Sequence, residues 1–128
     1  MRLLIPLILL AASPAAAADQ FDLACKGYKW TKIGGPSQDY SFRARIDLAA
    51  EKWCEGECKA ALPIFSVTPD ELVLTDEGTL NSRIEMSRRA TYDRKTNAFH
   101  YLFLQTRPTD DYLETQTVCT TEPFTPLP

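Results

Sequence analysis

A chain of 128 residues, 45% hydrophobic and 24% charged, holds one domain of ordinary size. Its 14 basic and 17 acidic side chains leave a formal charge of −3. No basic run exceeds Arg88-Arg89, which excludes the electrostatic footprint of nucleic-acid binding and of attachment to anionic lipid.

The start, MRLLIPLILL, puts one arginine ahead of a short apolar run, and AASPAAAAD supplies small residues for cleavage. This is the pattern of a secretory signal peptide over residues 1–18, with cleavage after Ala18. The run from Leu3 to Ala12, interrupted by Pro6, is too short for a spanning helix of ~20 residues, so no membrane anchor is expected. The mature part, 19–128, is read as a single periplasmic or secreted β domain.

Residues 21–30 alternate Phe21, Leu23 and Cys25, then change phase at Gly27, where a strand bulge or sharp twist is expected. Turn material follows at 31–39. Tyr40, Phe42, Ala44, Ile46 and Leu48 then alternate with Ser41, Arg43, Arg45 and Asp47, a strand with one wet face, as antiparallel sheets have. Residues 49–55 hold good helix formers and suggest one short helical turn at most.

Residues 60–67 and 71–75 read as strands around the turn Thr68-Pro69-Asp70, and Asp76-Glu77-Gly78 reads as further punctuation. Leu80, Ser82, Ile84 and Met86 then give another strand of period two over 80–87. Asp93 to Asn97 reads as a hairpin connection, with Asn97 suited to a left-handed conformation. The run from Ala98 to Gln105 is apolar on both faces, 112–119 forms the last strand, and the proline-rich tail 121–128 is laid on the surface. The sum is all-β: a small antiparallel barrel of seven or eight strands, with a β-sandwich as the alternative.

Cys25, Cys54, Cys58 and Cys119 permit three pairings. The preferred one joins Cys54 to Cys58 around a tight turn and Cys25 to Cys119 across the fold. Glu55 and Glu57 disfavour a thiolate, which argues against redox chemistry. Zinc would need reduced thiols in an oxidising compartment.

No phosphate cradle, calcium loop, serine-hydrolase pattern or cofactor motif is found, so no cofactor or metal is expected. His100, on the strand face opposite Phe99, Tyr101 and Phe103, is expected to be structural and clear of any carboxylate. A hydrolase pairing it with an acid such as Asp47 or Glu85 is the alternative. Arg43, Arg45, Arg83, Arg88, Arg89 and Arg94, with Lys95, are a candidate surface for a protein or an anionic small molecule. Tyr28, Trp30, Tyr40, Phe42, Phe99, Tyr101 and Phe103 would pack a solid core or line a shallow pocket. The functional expectation is an exported accessory protein with a binding or structural role and no catalysis. The alternative within the binding class is an inhibitor of an extracytoplasmic enzyme presenting the Arg88–Lys95 hairpin. Oligomeric state is left open.

Overall fold

A computed structural model of the chain describes residues 19–128; the leader read at 1–18 lies outside the described residues. Nine antiparallel strands form one curled, half-barrel sheet. They are β1 (Gln20–Trp30), β2 (Gln38–Asp47), β3 (Lys52–Glu55), β4 (Leu62–Pro63), β5 (Ser66–Val67), β6 (Glu71–Leu80), β7 (Glu85–Asp93), β8 (Ala98–Arg107) and β9 (Asp111–Glu122). Their order across the sheet is β4-β3-β2-β1-β9-β8-β7-β6-β5. The first long strand pairs with the last, so β1 and β9 lie in the middle of the sheet. The barrel-like expectation holds, and a single curled sheet sets the two-sheet sandwich aside.

The outermost strands, β4 and β5, are consecutive in the chain and separated only by Ile64 and Phe65. The two margins of the sheet therefore meet at that link. The amide of Ile64 donates to the carbonyl of Glu51 (2.9 Å), just before β3, while the next amide, of Phe65, donates to Leu74 of β6 (3.3 Å). One segment thus laces the barrel shut at one end.

Below this lacing the inward side chains form a dry core. Leu23, Ala44, Ile46, Leu72, Leu74 and Ala90 have no exposed surface, and Phe21, Trp53, Tyr92 and Phe99 complete the cluster. The alternation read at residues 40–48 puts Ala44 and Ile46 in it.

Both disulfides form in the preferred pairing, Cys25–Cys119 and Cys54–Cys58. Cys25 and Cys119 face each other directly across the β1/β9 ladder, with Cα atoms 4.0 Å apart.

The proline-rich tail folds back over the outer face. Asp22, buried on that face, accepts hydrogen bonds from the amide and hydroxyl of Thr125 (3.0 and 2.6 Å). Arg45 donates to the carbonyl of Pro126 (3.1 Å), and Arg43 pairs with Glu122.

Five local expectations are corrected. No bulge occurs at Gly27, where β1 pairs in unbroken register on both sides. A Cβ at Gly27 would collide with the carbonyl oxygen of Gln116 and lie 2.8 Å from Thr117 Cα, so the glycine permits close approach of β9. The phase change sends Tyr28 and Trp30 to the outer face. Residues 49–55 hold no helix: 48–51 turn, with Glu51 at positive φ, and Lys52–Glu55 pair with β2 as a strand.

Asp76-Glu77-Gly78 is strand, because Asp76 pairs with Arg89 (3.2 Å) and Glu77 with Arg88 (3.5 Å) across the β6/β7 ladder. The turn falls instead at 81–84, breaking the strand expected over 80–87, because the Asn81 side chain accepts from the amides of Arg83 and Ile84 (2.8 and 2.7 Å). The strand expected at 60–67 is reduced to the two-residue pairings of β4 and β5. The 93–97 hairpin forms as expected, with Asn97 at φ 63° and Asp93 accepting from the amides of Lys95 and Thr96.

Candidate functional site: the open half of the barrel

β3 pairs only with Ala44–Asp47 of β2, and β5 only with Leu72 and Val73 of β6. Beyond those points β2 and β6 continue as the two free margins of the sheet, and the barrel stands open between them. A cleft of about 300 Å³ occupies the interior there. Its walls are Tyr40 and Phe42 of β2, Trp53 and Glu55 of β3, Leu62 of β4, Thr75 and Glu77 of β6, Arg88 of β7, Phe99 and Tyr101 of β8, and Leu113 and Thr115 of β9.

Strand alternation explains this set. Ala44 and Ile46 point inward in the closed half, so Tyr40 and Phe42, two and four residues earlier than Ala44, point inward in the open half. A bulge between Val73 and Thr75 shifts the phase of β6, so that Thr75 and Glu77 follow Leu74 onto the inner face.

The aromatic wall is ordered by ring contacts. Tyr40 stacks on Phe42 (centroids 5.5 Å), and Phe42 meets Phe99 edge to face (4.9 Å). The Tyr40 hydroxyl donates to Glu55 Oε1 (3.2 Å). Burial, then the Glu55 charge, push the Tyr40 phenol up to about 12. Glu77 is shared with Arg88, whose guanidinium also sits 5.3 Å over the Phe103 ring.

Glu55 has no ion-pair partner among the described residues. Two buried nitrogen donors on lining residues, Trp53 Nε1 and Arg88 Nε, have no hydrogen-bond acceptor. Leaving such donors unpaired costs ~1–3 kcal/mol each.

The structure divides the arginine set. Arg43 and Arg45 lie on the outer face and hold the C-terminal tail; Arg83 sits in the 81–84 turn. Arg88 faces the cleft, Arg89 lies outside against Asp76, and Arg94 donates to the Thr68 carbonyl (3.1 Å) while Lys95 pairs with Asp70. These side chains form no continuous stripe, and the basic tip of the hairpin is bound to the neighbouring 68–70 turn.

His100 lies on the outer face, as alternation requires, but it is not clear of carboxylates. Its Nε2 is 3.1 Å from Glu114 Oε2, across the β8/β9 ladder. Neither Asp47 nor Glu85 is its partner. The pair lies outside the cleft, and Glu114 also accepts from Gln116 (3.4 Å). Among the described residues no three His, Cys, Asp or Glu side chains are placed to hold a metal ion.

Of the aromatic set, Tyr40, Phe42, Phe99 and Tyr101 line the cleft, Phe103 lies beneath Arg88, and Tyr28 and Trp30 lie outside. Sequence reasoning missed Glu55 and Glu77, which it read as turn charges. A usable signal was present: Asp76 and Glu77 mirror Arg89 and Arg88 about the centre of 81–84, the charge pattern of a hairpin closing there. Comparison with protein-family models, curated proteins and solved structures returns no match.

Proposed function

We propose that the mature chain is an exported, non-catalytic binding protein, periplasmic or secreted, whose ligand occupies the open half of the barrel. The leader pattern and the two formed disulfides support export. Among the described residues no helix is long and apolar enough to cross a membrane.

The observation that carries the binding role is the cleft itself. Aromatic walls and a carboxylate without an ion-pair partner, Glu55, meet in about 300 Å³, at the small end of ligand sites. A barrel selected for packing alone would fill this space with side chains, as it does in the closed half.

The test is a fragment screen by NMR on the disulfide-bonded mature chain, using small aromatic amides and aromatic carboxylates. Shift changes should be confined to Tyr40, Phe42, Trp53, Phe99 and their neighbours. Thr115→Phe, which fills the cleft, should abolish them. Shifts centred on the outer face, or none, would overturn the proposal.

A further inference from the structure

The free margins beside the cleft have a further consequence. The Arg43 carbonyl accepts from the Gly56 amide (2.7 Å), and the Leu48 amide donates to Asp19 on the β1 side (2.7 Å). Backbone direction alternates along a strand, so the amides and carbonyls of Asp39 and Ser41 point away from β1 into the opening. On the other margin, the Asn81 amide pairs with Ile84 across the turn and the Leu74 carbonyl points to the lacing segment. By the same alternation Asp76, Gly78 and Leu80 present their backbone groups to the opening. Neither stretch has a strand partner on that side among the described residues.

We infer that this seam receives an extended segment of a partner protein as an added strand, with a lysine or arginine side chain entering the cleft toward Glu55. The inference rests on the cleft-binding role proposed above and specifies its occupant. Two observations favour this occupant. An added strand satisfies the free backbone groups, and its inward side chains alternate into the aromatic cleft.

Charge selects the side chain. Arg88 is committed to Glu77, Arg89 to Asp76, and the Lys29 ammonium lies over the Tyr40 ring (5.6 Å), so that neither Asp39 nor Glu55 has an ion-pair partner among the described residues. A second copy of this chain is the poorer occupant, because edge-to-edge pairing would bring the same acidic margins together.

The experiment selects random linear heptapeptides displayed on phage against the disulfide-bonded mature chain. Enriched peptides should alternate apolar residues with an inward lysine or arginine. Synthetic versions should slow amide exchange at Asp39 and Ser41, or at Asp76, Gly78 and Leu80. Alternate N-methylation, which removes the peptide's own donors, should abolish binding. Glu55→Gln should weaken the basic peptide about tenfold and leave its norleucine analogue unchanged.

No enrichment, protection elsewhere, or binding indifferent to N-methylation overturns the inference. If aromatic fragments still fill the cleft while peptides fail, the binding role stands and the strand partner falls. If neither binds, both fall. A concentration-dependent dimer protecting the same amides identifies a second copy instead and overturns the inference.

Discussion

The two halves of the barrel are built from the same long strands and differ in what covers their margins. In the closed half, β3 and β5 flank β2 and β6, and the Ile64–Phe65 link draws the margins together over Leu23, Ile46, Leu72 and Leu74. In the open half those flanking strands have ended. The inward positions there carry Tyr40, Glu77 and Arg88, with Glu55 at the end of β3, side chains with polar ends that a dry core could not satisfy. Stability is therefore concentrated in one half, and the other is free to carry binding chemistry.

The largest effect expected from this division concerns the disulfides. Cys25–Cys119 spans 94 residues of sequence and lies in the buried core, whereas Cys54–Cys58 spans 4. Chain entropy assigns about 4.7 kcal/mol to the first and about 2 kcal/mol to the second. Urea unfolding of the two double-alanine variants should differ by about 2–3 kcal/mol. Equal losses would mean that the long bridge adds little to contacts already made by β1 and β9.

Core truncation sharpens the contrast. Ile46 is fully buried, and Ile46→Ala should cost about 2–5 kcal/mol. Tyr40 is half-buried beside the cleft, and Tyr40→Ala should cost about 1 kcal/mol while removing one wall of the site. Similar costs for the two would show that the open half is as tightly packed as the closed one.

Much of the fold was legible because period-two patterns are local. The strand around Ala44 and Ile46 and the placement of His100 opposite Phe99 follow from alternation, and the 93–97 hairpin follows from its polar connection and Asn97. The disulfide pairing was also within reach, since a barrel brings its first and last strands together.

What was not legible depends on pairing between distant strands. Asp76 and Glu77 resemble a turn until Arg88 and Arg89 stand opposite them. Gly27 resembles a bulge until β9 lies against it. The helical propensity of residues 49–55 yields to the ladder that β3 makes with β2. The cleft was hidden for the same reason: nothing in the sequence of β3 or β5 says how far along their neighbours they reach.

A smaller effect is expected at Gly27, whose role is close approach of two central strands. Gly27→Ala forces the new methyl onto the Gln116 carbonyl, and moving backbone aside should cost about 1–3 kcal/mol. Gly78→Ala, on the free margin of the open half, meets no atom nearer than 3.8 Å and should be close to neutral. A neutral Gly27→Ala would show that β1 and β9 can part without loss.

The smallest effect is electrostatic and belongs to the open half alone. Tyr40 titrates near 12, above the usual 10 for tyrosine, because burial and the Glu55 carboxylate both disfavour a phenolate. The native state thus holds this proton more tightly than the unfolded chain does. Its contribution to stability is complete below pH 10 and is lost as pH rises from about 10 through about 12. Tyrosine absorbance should show Tyr40 among the late-titrating phenols, and Tyr40→Phe should remove that component. Glu55→Gln should bring it partway back toward 10, since burial persists when the charge is gone. If Glu55→Gln left the titration unchanged, the carboxylate would not be facing the phenol, and the acidic character assigned to the cleft would lose its main support.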